Sequence, residues 1–232
     1  MNQDEPQRPQ NMAIDQQQYK DFLDALGAGV RLVAVSKTKP PEDIRALYDL
    51  GQRDFGENYV QELADKRGQL PADIRWHFIG HLQSNKVKII APFIHLIQSV
   101  DSLKLLREID KHGAKWQRVI DCLLQVHIAR EETKFGFDAQ ELGDLFHRAP
   151  DGLQHVRIAG LMGIASFTED PAQVRKEFSG LKTLWDKYFH AAPAGGGPSS
   201  ILSMGMSADY KMAIGEGSNM VRIGSLLFGE RP

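Results

Sequence analysis

Lys37 directly follows the first short apolar run of the chain, residues 31–36 (RLVAVS). Period-two alternation puts Val33, Val35 and Lys37 on one face of this run, and Leu32, Ala34 and Ser36 on the other. An amine at the end of such a strand meets apolar surroundings. Desolvation lowers its pKa, and the neutral amine is the form that attacks a carbonyl. Schiff-base chemistry is one reading of Lys37, and a rim lysine paired with a carboxylate is the other. Lys39 is a weaker candidate, beyond the run and beside Pro40 and Pro41. Late in the chain, residues 203–209 (SMGMSAD) and 222–225 (RIGS) have the composition of anion-binding loops. Gly205 and Gly224 would let backbone approach an anion closely. Ser207 suits either the N-cap of a following helix or a phosphate oxygen. Arg222 is a permanent donor, which either serves a ligand acceptor or forms an interior ion pair with Glu57 or Asp209.

These residues gain meaning from the elements that carry them. Eight short apolar or β-branched runs alternate with longer amphipathic stretches. The runs are 31–36, 53–55, 75–79, 94–98, 118–126, 157–162, 200–203 and 220–223. The stretches between them predict helices near 41–50, 58–69, 84–91, 102–112, 138–149, 171–191 and 207–214. A further helix is predicted over 12–28, closed by Gly27, after a polar tail at 1–11. Eight β/α units at about 25 residues each suit a compact single (β/α)8 TIM-type barrel over 12–232. The competing architecture is an open doubly wound sheet, disfavoured because no Gly-rich fingerprint follows the first strand. The AGGGP stretch at 194–198 reads as a loop inside the same domain.

In such a barrel the chemistry sits at the C-terminal strand ends. Lys37 follows strand one; Gly56, Glu57 and Asn58 follow strand two; Gly80, His81, Gln83, Ser84, Asn85 and Lys86 follow strand three. Ser99, Asp101 and Ser102 follow strand four, Ser203 to Asp209 follow strand seven, and Arg222, Gly224 and Ser225 end strand eight. His77 and His81 share a metal-pair spacing, but on a strand and turn their rings point apart, so no metal site is expected. Cys122, the single cysteine, reads as a core thiol.

The 30 acidic residues against 28 basic ones give a net charge of −2, which offers no footprint for nucleic acid or an anionic membrane. No apolar run approaches the roughly 18–20 residues of a membrane span. The acidic, proline-bearing start lacks a signal core, so a cytoplasmic location is expected. With no heptad or long apolar edge, a monomer is expected.

Seven motifs together, VSKTKP (35–40), FGENYVQE (55–62), WHFIGHLQSNK (76–86), KFG (134–136), GLM (160–162), LSMGMSAD (202–209) and MVRIGS (220–225), resemble the pyridoxal phosphate homeostasis protein family. The resemblance runs in order from about Val30 to Arg231. It implies a barrel like the N-terminal domain of alanine racemases, with pyridoxal 5′-phosphate (PLP) held as a Schiff base on Lys37. It implies phosphate contacts from Ser207 and the Gly224–Ser225 backbone, with Arg222 facing the pyridine nitrogen. Asn58 lies near the ring and Ser203 near the phosphate loop, and the resemblance leaves open the roles of His81, Asn85 and Lys86. A donor-only arginine at the ring nitrogen disfavours strong carbanion stabilisation. Without the second domain that supplies a racemase's opposite base, the expectation is a non-catalytic protein that buffers PLP and passes it to PLP-dependent apo-enzymes. An amino-acid racemase and a Schiff-base aldolase or phosphosugar isomerase are the alternatives.

Overall fold

The β-branched runs form strands and the amphipathic runs form helices in strict alternation, as the periodicity predicts. The computed structural model describes residues 15–130, 135–148, 152–189 and 200–229. The predicted tail at 1–11, Lys134 and the 194–198 loop lie outside the described residues. The strands are β1 (Arg31–Val35), β2 (Asp54–Glu57), β3 (Arg75–Phe78), β4 (Leu96–Val100), β5 (Ile120–Val126), β6 (Val156–Gly163), β7 (Ile201–Ser203) and β8 (Met220–Ile223). They close in sequence order into one parallel barrel, β8 pairing back onto β1 with Val33 beside Arg222. Closure settles the architecture in favour of the barrel.

Each helix packs on the outside of the wall. α1 (Gln16–Leu26) starts at a capping box, in which the Asp15 carboxylate accepts from the Gln18 amide and the Gln18 side chain accepts from the Asp15 amide. α2 (Pro41–Asp49) has Pro41 in its first turn, where no intrahelical donor is lost. α3 (Val60–Arg67) is followed, after β3, by a 3₁₀ turn at Ser84–Lys86 and the four-residue α4 (Val87–Ile90), not the single helix predicted there. α5 (Leu103–Lys115) is capped by the Ser102 hydroxyl. α6 (Ala139–Arg148) and α7 (Pro171–Phe189) follow β5 and β6. α8 (Tyr210–Gly215) and α9 (Ser225–Phe228) complete the order, the last unanticipated.

Alternation in the strands divides the buried residues into two populations. Leu32, Ala34, Phe55, Trp76, Phe78, Ile97, Leu202 and Val221 face the helices, where they meet Ile44, Leu63, Leu106 and Phe178. The opposite parity fills the barrel interior. There Val33, Leu96, Leu123, Met162 and Met220 form a small apolar cluster. Beside them the interior parity of β2, β3, β4, β7 and β8 places Asp54, His77, Gln98, Ser203 and Arg222, all buried. Strand register slips in two pairings only among the described residues, between β4 and β5 and between β5 and β6. Cys122 is fully buried on the helix-facing side. Among the described residues no helix is long and apolar enough to cross a membrane.

Candidate functional site

The barrel brings Lys37, Ser207, Arg222, Gly224 and Ser225 to the C-terminal ends of three neighbouring strands, β7, β8 and β1. Lys37 is half-buried in the turn after β1. That turn is tightly built. Thr38 adopts a left-handed φ of 65°, and its amide donates to Glu62 Oε1 at 2.5 Å. The Ser36 amide donates to the Gly56 carbonyl at 3.0 Å, and the Ser36 hydroxyl donates to Glu57 Oε1 at 2.7 Å. Beneath the turn, Lys66 donates to the Ser36 carbonyl, Glu57 and Glu62 at 2.7, 2.8 and 2.6 Å. Burial pushes the Glu57 carboxyl above its ordinary range, against the lowering effect of Lys66 and Ser36. Lys39 Nζ instead donates to the Phe228 carbonyl at 3.0 Å, tying the β1 turn to the end of α9.

On the far side of the β8–β1 seam the two predicted anion loops meet. The Gly224 amide donates to Ser207 Oγ at 3.3 Å. Ser207 is therefore not the cap of α8: Asp209 takes the cap position, its Oδ1 accepting from the Met206 amide at 2.6 Å. The hydroxyl turns across to β8 because two residues, Ala208 and Asp209, separate Ser207 from the helix start. Gly205 is obligatory here: its φ is +96°, and a Cβ would stand 2.6 Å from that of Ala213. Its carbonyl accepts from the Arg222 amide at 3.0 Å, so the β7 loop is fastened to β8 before either loop reaches the mouth.

Arg222 is 3% exposed and projects into the barrel interior. Its hydrogen bonds go to neutral oxygens: Nη1 to the Ser203 carbonyl and hydroxyl at 2.9 and 2.7 Å, and Nη2 to the Gly163 carbonyl at 2.9 Å. The ion pair with Glu57 considered from the sequence does not form, because Glu57 belongs to β2 itself and points outward to Lys66. Burial lowers the guanidinium to about 10, opposed by the Asp209 carboxylate, so it is a cation at neutral pH. Ser203 sits deeper than a mouth residue. Its hydroxyl accepts from Arg222 and donates to Gln98 Oε1 at 2.7 Å.

Across the mouth, Asn58 and His81 line a cavity of about 230 Å³, with Gly80, Gln125 and His127. Asn58 Oδ1 is buried with no hydrogen-bond partner among the described residues. His81 bonds Asp101 at 3.0 Å and stacks on Phe135 at 3.9 Å between centroids, while Asn85 and Lys86 are exposed on the rim. Ser99, expected after β4, lies within it. His77 lies in the barrel interior and His81 on the rim, so the two rings do not converge. Asp54, His77 and His95 do bring potential ligand atoms within 4.8 Å of one another. Arg75, however, already holds both Asp54 oxygens, at 2.8 and 2.5 Å, which makes that cluster an ion-pair assembly. Sequence reasoning missed Glu62, Lys66, Gln98, Asp54 and His77 as site-building residues. The available signal was the polar residue at interior parity in otherwise apolar runs, together with the i,i+4 spacing of Glu62 and Lys66.

A family model described as the N-terminal domain of alanine racemase matches residues 14–232. The pyridoxal phosphate homeostasis protein of Aquifex aeolicus is 44% identical over 206 residues, which are 87% of each chain. The chain belongs to the pyridoxal phosphate homeostasis protein family. Among solved structures, PipY of Synechococcus elongatus PCC7942 with PLP bound superposes with a TM-score of 0.80 at 36% identity, over 92% of this chain and 99% of that one. Alanine racemase from Bartonella henselae, at 17% identity and a TM-score of 0.70, shares the fold over 92% of this chain and 59% of its own. The chain thus shares the barrel fold of the racemases.

Proposed function

We propose that this chain holds PLP as a Schiff base on Lys37 and serves intracellular vitamin B6 homeostasis as a cytoplasmic, monomeric carrier that delivers PLP to apo-enzymes. The observation that carries the reading is the convergence of Lys37, the Ser207–Gly224 loop pair and Arg222 on three adjacent strand ends. The residues fit the group. Hydroxyl and amide donors suit a phosphate, a donor-only guanidinium suits a ring acceptor, and the unpartnered Asn58 oxygen suits a hydroxylated ring. The PLP bound in PipY and the names of the relatives support the same assignment.

When bound, PLP supplies an aldehyde that condenses with a primary amine. Lys37 is the amine held for that role, in a turn fastened from below by Lys66 and Glu62. The Ser207 hydroxyl and the Ser225 backbone amide would hold the phosphate, the Gly224 amide joining them by exchanging its long bond to Ser207 Oγ for a phosphate oxygen, and Gly205 shapes the loop that presents Ser207. Arg222 would donate to the ring nitrogen and, with no proton to surrender at neutral pH, would leave that nitrogen unprotonated. A ring in that state is a weak electron sink, which favours holding the cofactor over turning over amino acids. Ser203 positions Arg222, its hydroxyl being held between Arg222 and Gln98.

The test is direct. Purified protein incubated with PLP develops a visible band that borohydride removes, and peptide mapping finds the reduced label on Lys37. Lys37→Ala loses the band while its circular dichroism and melting curve stay those of the wild type. A label on another lysine, or no uptake at saturating PLP, overturns the assignment.

A further inference from the structure

Five interior residues on five different strands are joined by one unbroken series of hydrogen bonds. Arg222 Nη1 donates to Ser203 Oγ at 2.7 Å, and the Ser203 hydroxyl donates to Gln98 Oε1 at 2.7 Å. Gln98 Nε2 meets His77 Nδ1 at 2.9 Å, and His77 Nε2 meets Asp54 Oδ1 at 3.0 Å. Arg75 closes the series at the N-terminal end of the barrel by chelating Asp54. His77, Gln98 and Ser203 have no exposed surface. Burial lowers the His77 pKa despite Asp54, so the ring is neutral and carries one N–H.

The direction of every bond then follows from Asp54. Although burial alone would raise it, Arg75 and His77 hold the Asp54 carboxyl well below the usual range. An ionised carboxylate only accepts, so the single His77 proton sits on Nε2 and Nδ1 is an acceptor. Only the amide nitrogen of Gln98 can face that acceptor, which aims Gln98 Oε1 at Ser203. The Ser203 proton goes to Gln98, and its oxygen is left free to accept from Arg222. A flipped Gln98 would aim a second donor, beside Arg222, at the Ser203 oxygen and take away the acceptor of the Ser203 proton. A second Gln98 N–H contact, to Met220 Sδ at 3.3 Å, favours the same orientation.

We propose that Gln98 is a positioning residue for Arg222, and that Asp54, acting through the His77 tautomer, sets the orientation in which Ser203 presents its acceptor to the guanidinium. This rests on the reading in which Arg222 serves the ring nitrogen of PLP, and it extends that reading to the opposite end of the barrel. It accounts for a polar file running through an interior whose other half is apolar.

The first arm uses the wild-type protein without PLP. Long-range 1H–15N spectra at pH 7 show His77 protonated on Nε2 only; protonation on Nδ1 overturns the proposal. The second arm follows the Arg222 guanidinium 15N signals. They are motionally restricted in the wild type and in Ser203→Thr, and averaged in Gln98→Leu and Ser203→Ala, with the PLP dissociation constant about tenfold higher in the last two. Ser203→Ala carries this arm if Gln98→Leu does not fold. Arg222 signals unchanged in the folded variants overturn the proposal, since a merely space-filling Gln98 would alter melting temperature alone. Wild-type protein that takes up no PLP while Arg222 still responds removes the cofactor reading and leaves the positioning role. Uptake with an unresponsive Arg222 does the reverse.

Discussion

Lys66→Met removes the cation under the Lys37 turn and leaves Glu57 without its ion-pair partner. The Glu57 side chain has no exposed surface and that of Lys66 is 6% exposed, so water replaces nothing. Removing one partner of a buried pair costs about 3–5 kcal/mol. For a chain of this size that corresponds to a fall in Tm of about 6–20 °C. The sign of the pH dependence is fixed by Glu57. Its folded pKa already stands above the ordinary value because of burial, and losing Lys66 raises it further. Between the unfolded and folded pKa values the folded state binds the extra proton, so acidification stabilises the folded form and the benefit is lost as pH rises through the folded pKa. The deficit is therefore largest near pH 7.5 and shrinks toward pH 5.5, each unit of extra shift accounting for about 1.4 kcal/mol. Urea unfolding of wild type and variant at both pH values measures it. The double change Lys66→Met with Glu57→Gln recovers most of the loss at pH 7.5, because no charge is left stranded. A deficit below about 1 kcal/mol at pH 7.5 would place the pair among weak surface contacts. A deficit indifferent to pH would refute the role given to Glu57.

Two further substitutions probe the phosphate loops and the barrel wall. Ser207→Ala should weaken PLP binding roughly 10–100-fold, the loss of one hydrogen bond to a charged group, while pyridoxal, which lacks the phosphate, binds both proteins equally; titrations of the visible band with the two aldehydes separate the cases. Gly160→Ala should destabilise by at least about 3 kcal/mol, since its φ is +154° and a Cβ would stand 1.8 Å from the Ile201 carbonyl across the β6–β7 pairing. Gly180→Ala, on the exposed face of α7 with nothing within 4 Å, should instead stabilise by about 0.5–1 kcal/mol, so a pair of thermal melts checks both.

The barrel was legible because its signals are local. Each strand is a short apolar run, and period two alone separated Val33 from Leu32 and Ala34, which the barrel then turns inward and outward. Lys37 and the Ser207 and Gly224 loops were legible because strand ends are the functional face of this architecture. What escaped depends on which strands become neighbours. Ser207 looked like a cap because its helix partner is near in sequence, whereas its actual partner, Gly224, lies 17 residues on. Glu57 looked like a mouth residue until the strand proved to run two residues further and turned it toward Lys66. Gln98 and His77 carry a visible anomaly, a polar side chain at interior parity, but their partnership needs the register of β3 against β4. The helix predicted over 84–91 is divided, because a 3₁₀ turn at Ser84–Lys86 precedes α4.

The interior file also makes the two halves of the wall unequal. Five strands are keyed to one another by side chains whose bonds tolerate no sliding, because moving any strand by one residue would swing its polar group out to the helices. Both slips in pairing involve β5, which carries no key: one against β4, in the Ile97–Val100 stretch, and one against β6, along surfaces lined by Leu123 and Met162. Insertions and circular permutation should therefore be absorbed near β5 and rejected near β8, giving this cylinder a stiff seam and a forgiving flank.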